Sequence, residues 1–289
     1  MGEKDIEEKL LEDYNDVFAD IINVLIFNGR KIVKPENLEN TKDKSRFKNV
    51  DGKVTEQERD VAKRWQNNRI RLALFGVENQ TSSDDKICLR LYGYDGAAYK
   101  SQYNEDVTYP VITLVLHFDH KHRWKGPKTL MESMEVPREL LPYVNDYHMN
   151  LFEIAWLSDD QVSMFTSDFW IVADYFVQMR KNKDYMPSKQ TIEHVDAVLK
   201  LMSALTGDSR FEVAQNEPNI KERGLSMCEV LDKIENRGEK RGSFEMLLKI
   251  VGDYVKNFKM TQKAACEQLS IDYKEYQAAK RYMKKIKNK

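Results

Sequence analysis

Cysteine is scarce in this chain of 289 residues: Cys88, Cys228 and Cys266 are far apart and odd in number. That argues against a disulfide framework and against a zinc site of paired cysteines, and it predicts a reducing, cytoplasmic setting. No apolar run approaches the ~18 residues of a membrane-spanning helix, so no membrane partner is expected. The opening residues, Met-Gly-Glu-Lys-Asp-Ile-Glu-Glu-Lys, lack the apolar core of a signal peptide. A dominant charge is missing too: charged residues make up 32% of the chain, yet the net charge is −1. The balance hides an asymmetry. Residues 233–289 carry 15 Lys or Arg against 7 Asp or Glu, a net of +8, so residues 1–232 carry −9. A basic tail on an acidic body suits a polyanionic partner, and a solvated helical surface accounts for it equally well.

What is present, 41% hydrophobic residues, can build a core, and 289 residues suit one large domain or one domain plus a small appendage. Residues 5–28 have helical spacing and stop at Asn28-Gly29. Residues 39–57 are polar and read as a loop with at most one strand. Arg59–Trp65 and residues 69–77 read as the two strands of a hairpin about Gln66-Asn67-Asn68. A helix follows over 84–103, capped by Ser82-Ser83-Asp84. The continuous apolar run Pro110–Phe118 predicts a central strand covered on both faces, and Tyr147–Ile154 a further one. Residues 158–205 read as two helices broken near Met186-Pro187, 207–224 as a loop and 226–236 as a helix. The glycine-punctuated stretch 237–242 reads as a hinge before a helical segment, 243–285. This order describes an α/β (α+β) protein with a mixed central sheet flanked by helices. Residues 1–232 form its main domain, helical from 158, and 233–289 a basic helical tail.

The chemistry centres on Arg69–Gln80, an apolar run that ends in Glu78-Asn79-Gln80. Side chains alternate along a strand, so Glu78 and Gln80 point to one side. A carboxylate ending a buried strand is costly unless paired or metal-bound. Asp60 lies on the preceding strand. A turn centred on Asn67 sets it opposite Leu74, and one centred near Arg69 sets it opposite Glu78; both registers keep the two acids on one face. Two such carboxylates suit Mg²⁺ or Mn²⁺. Solvent-exposed edge acids remain the plainer reading of the same residues.

These residues also carry a resemblance. An acid on one strand, Glu-x-Gln ending the next, then Asp84, Leu89-Arg90 and Tyr94-Asp95-Gly96-Ala97, resembles the PD-(D/E)XK nuclease superfamily. The set is closest to its recombination-promoting nuclease (YhgA-like transposase) family. Asp16–Asp20, Arg59-Asp60-Val61, Tyr109–Leu116 and Trp124–Pro127 extend the likeness over residues 14–180, with Cys88 where a proline is expected. The resemblance implies a restriction-endonuclease-like core and metal-dependent cleavage of DNA in recombination or transposition. It implies metal ligands at Asp60, Glu78 and the Asn79 carbonyl, with Asp20 matching an acid of the first helix. Gln80 stands in the place of the usual catalytic lysine, and Arg90 is set to contact phosphate. Because of Gln80, a weakly active or inactive nuclease fold serving DNA binding, regulation or oligomeric interaction is the alternative.

Two further groups need weighing. His117, His120 and His122 have no nearby cysteine to complete a zinc set, and a strand exit is the simpler explanation. In the tail, residues 259–276 read as two short helices joined at Ser270-Ile271, with Thr261 as cap. Lys280, Arg281, Lys284 and Lys285 follow. The pattern suits a helix-turn-helix on DNA, or a helical hairpin for homo-oligomerisation.

Overall fold

The computed structural model describes residues 11–41, 44–48, 54–67, 70–215 and 224–287. Its main sheet takes five strands in the order β1 (Leu38–Asn40), β4 (Val61–Asn67), β5 (Ile70–Gln80), β6 (Val111–His117) and β7 (Asn150–Glu153). A separate pair joins β2 (Lys44–Lys48) to β3 (Val54–Glu58). Pairing is antiparallel between β1, β4 and β5, and parallel between β5, β6 and β7. The sheet is therefore mixed and the protein α/β, as its sequence predicts.

β5 is buried from Ala73 to Asn79 because helices cover both faces. On one face lies α1 (Asn15–Leu25), which buries Val17, Phe18, Ile21 and Ile22. Lys63 of β4 reaches it: its ammonium donates to the Asp13 carbonyl and Asn15 Oδ1, and sits 5.5 Å from the centre of the Phe18 ring. On the other face lies α2 (Ile87–Ser101). Its Ile87, Leu91 and Tyr94 pack with Val115, Trp124 and Met149, and its Ala98 with Leu74, Tyr109 and Val111. Burying each large apolar side chain contributes about 1.5–3 kcal/mol, so these layers hold the strand ends firmly.

The helical part comprises α3 (Asp159–Met164), α4 (Phe169–Asn182), α5 (Val195–Thr206) and α6 (Ser209–Gln215). The chain divides into compact units at Met227/Cys228. The second unit holds α7 (Met227–Phe258), α8 (Gln262–Gln268) and α9 (Tyr273–Lys287), with Val251, Ala265, Cys266 and Tyr276 as its core.

Several sequence expectations are corrected. The polar stretch 39–57 contributes to three strands; its register sets Lys44 opposite Glu58 and Arg46 opposite Glu56, a charge pattern that apolar alternation cannot reveal. Residues 158–205 hold three helices, because the Asp20 carboxylate accepts the Thr166 and Ser167 N–H groups and fixes a turn between α3 and α4. Residues 209–215, read as loop, are helical. The expected hinge at 237–242 lies inside the uninterrupted α7. Gly238 and Gly242 cost it about 1 kcal/mol each relative to alanine without breaking it. Helix α2 starts at Ile87, and Asp84 caps only by accepting the Lys86 N–H. The N-terminal helix is interrupted at Asp13-Tyr14, and residues 5–10 of its expected range lie outside the described residues. Its stop at Asn28-Gly29 is where both residues take positive φ, 52° and 81°.

Candidate active site at the end of β5

The hairpin register decides where the acids meet. Val61 pairs with Val77 and Trp65 with Ala73, with a bulge at Trp65/Gln66 before the turn. Continued by one residue, that register sets Asp60 opposite Glu78, the arrangement of a turn near Arg69. The contact is direct: the Asn79 N–H donates to Asp60 Oδ2 at 2.7 Å. In an extended strand a residue's N–H and C=O face the same neighbour, so the Asn79 carbonyl is turned toward the Asp60 edge as well.

Glu78 is 3% exposed. A charge so buried needs a counter-ion, and Arg90 of α2 supplies it, with Nη2 at 3.6 Å from Glu78 Oε2 and Nη1 at 3.6 Å from Asp84 Oδ2. At 3.6 Å these are ion pairs rather than good hydrogen bonds. Arg90 therefore bridges two acids at the rim, a quarter exposed. Gln80, half-buried, ends β5 opposite His117 of β6. Burial holds the His117 imidazole below its usual pKa, and the ring meets Trp124 edge-on at 5.2 Å. His120 and His122 lie in the turn after β6, where His122 faces Asp119. Among the described residues the three histidines form no metal cluster.

Beneath Asp60 lies a buried polar network. Arg59 Nη2 pairs with Asp95 Oδ1 at 2.6 Å, and Arg59 Nε donates to Thr113 Oγ1 at 3.1 Å. The Thr113 hydroxyl and the Tyr147 phenol each donate to Asp95 at 2.7 Å. Gly76 makes room, since a Cβ there would stand 2.5 Å from Arg59 Cδ. The network anchors the backbone next to Asp60. Burial first, and then the charge of Glu78, push the Tyr94 phenol far above its ordinary pKa, so it stays neutral beside the acids.

Not every expected residue joins this site. The Asp20 carboxylate is taken up by Lys31 Nζ at 2.7 Å and by Thr166 and Ser167. It lines a cavity that Asp60, Glu78, Gln80 and Arg90 do not. The helical acid that does reach the strand end is Glu12, fully buried, whose Oε2 accepts the Asn79 side-chain N–H at 2.8 Å. Sequence reasoning missed it, although an acid directly after Leu10-Leu11 in an amphipathic pattern was the available signal. Lys280, Arg281 and Lys284 belong to the second unit and are exposed on α9. The Lys285 side chain lies outside what is described.

Residues 68–205 match the model of the family described as putative transposase, YhgA-like. Over these residues the chain is similar to that family. No curated protein and no solved structure matches the chain. The YhgA-like match takes in Glu78, Asn79, Gln80, Asp84 and Arg90 together with Asp95, Thr113 and Tyr147 of the supporting network. Asp60, Arg59, Glu12 and the basic tail lie outside it. Among the described residues, no helix is long and apolar enough to cross a membrane.

Proposed function

We propose that the chain is a metal-dependent DNA endonuclease of the PD-(D/E)XK type, acting in recombination or transposition. The observation that carries this reading is the meeting of Asp60 with the Glu78-Asn79 strand end through the Asn79 N–H. Two carboxylates and a backbone carbonyl turned to one edge form a hard oxygen set. It fits a cation such as Mg²⁺ that binds one or two carboxylates and keeps several waters. Bound there, the cation would polarise a phosphodiester and activate water. The chain's own residues do the rest. The Gln80 amide, on the same side as Glu78, would orient the attacking water. Arg90, at the rim, would meet a phosphate oxygen, as guanidinium groups do well. The Arg59–Asp95 network would keep Asp60 from drifting.

A second reading, a nuclease fold that binds DNA without efficient cleavage, is favoured by two features. An amide occupies the position of the lysine, and the Arg90 guanidinium is already engaged with Glu78. The test is incubation of supercoiled plasmid with the full chain and Mg²⁺ or Mn²⁺. Nicking that a chelator stops is expected. Retention of DNA without nicking under either metal would overturn the nuclease reading in favour of the second.

A further inference from the structure

A second cluster of ligating side chains lies on the helical side of the first unit. Asp16 lies in the first turn of α1, and Glu193 and His194 immediately precede α5. Their ligand atoms all lie within 4.8 Å of one another. We infer that Asp16, Glu193 and His194 bind a divalent transition-metal cation of the zinc or manganese class, which staples the start of α1 to the start of α5.

The geometry is close to that of a formed site. His194 Nε2 stands 3.1 and 3.3 Å from the two Asp16 carboxylate oxygens. Two ligands held at ~2.1 Å from one ion stand about 3.0–3.4 Å apart. The imidazole and Asp16 therefore already have ligand spacing. Glu193 needs only a small movement, and among the described residues its carboxylate takes no hydrogen bond or ion pair.

The backbone carrying Glu193 and His194 is fixed independently. Asp168, 7% exposed, accepts the Glu193 N–H at 3.1 Å and the His194 N–H at 2.6 Å. Tyr14 stacks on the His194 ring with centroids 3.7 Å apart. Both devices pre-set the ring before any ion arrives, which is what outer partners of metal ligands do. A cavity of about 480 Å³ opens beside the cluster, with Asp16, Asp20, Asp168 and Glu193 against Lys31 and Lys34 in its wall. The excess of acids favours a cation there, and the cavity gives it a way in. One imidazole with two carboxylates selects zinc or manganese over magnesium and calcium, which prefer oxygen alone. The site does not depend on the nuclease reading, since it shares no residue with the Asp60–Glu78 pair.

The test uses the full chain stripped with a chelator and titrated with Zn²⁺ or Mn²⁺, followed by calorimetry and thermal melting. Wild type should bind one equivalent that survives Asp60→Asn. Its melting temperature should rise by roughly 5 °C at a hundredfold excess over Kd. Glu193→Gln, at an exposed position that should not disturb folding, and Asp16→Asn should each weaken that equivalent at least tenfold. Wild-type affinity in both variants, or loss of all binding in Asp60→Asn, would overturn the inference and leave an ordinary Asp16–His194 ion pair.

Discussion

Arg59 and Asp95 are two charges that could not be buried singly. Arg59 is 2% exposed and Asp95 6%, and their pairing is completed by Thr113 and Tyr147. Asp95→Ala removes the buried carboxylate that Arg59, Thr113 and Tyr147 share, and a loss of about 3–5 kcal/mol is predicted, read as a lowered denaturant midpoint. Asp20 gives a prediction in pH. Burial alone would raise its carboxyl, but the Lys31 ammonium and the Ser167 and Thr166 N–H groups hold it below the ordinary value of 3.8. A depressed folded pKa means stability that is present above the unfolded value and is lost as pH falls through the folded one. Acid titration of the first unit's stability should therefore steepen below about pH 4 in wild type. Asp20→Asn should lower stability at neutral pH and flatten that limb; an unchanged limb would contradict the role given to Asp20.

At the scale of elements, legibility followed the source of the stabilisation. β5 and β6 were readable because burial on both faces writes a continuous apolar run. The hairpin β4–β5 was readable too, though its register was not, since the bulge at Trp65/Gln66 that settles it has no signature in residue type. β2 and β3 escaped because their mostly polar sequences carry no apolar alternation. The α3–α4 break escaped because it is made by Asp20, 146 residues away. Glu12 was passed over for Asp20 because both lie on apolar-patterned helical segments, and only the packing tells which one faces the strand end. The tail was read well at its caps: Thr261 Oγ1 accepts the Ala264 N–H. Ser270 ends α8 with φ of 55°, while its N–H bonds to Glu267 O and the Ile271 N–H to Cys266 O. That is the helix-ending loop that usually takes glycine. Ser270→Gly is predicted to stabilise the second unit by about 1 kcal/mol, seen as a higher melting transition for that unit, because glycine adopts this conformation without strain.

At the scale of the molecule, an acidic first unit carries the candidate site and a basic second unit follows it. The exposed Lys280, Arg281 and Lys284 on α9 are the groups expected to meet a polyanion. If they contact DNA phosphates, replacing all three with alanine should weaken binding uniformly across sequences. It should also reduce the slope of log K against log salt by roughly 0.9 per contact. An unchanged slope in titrations at several salt concentrations would remove DNA from the partners of α9. The central claim, that the end of β5 is a metal-dependent cleavage site, rests on Glu78. The most direct measurement is plasmid nicking by wild type and Glu78→Ala under Mg²⁺ and Mn²⁺, with circular dichroism verifying that both are folded. A loss of at least about a hundredfold in a folded Glu78→Ala protein is the predicted result; nicking at the wild-type rate would contradict the account.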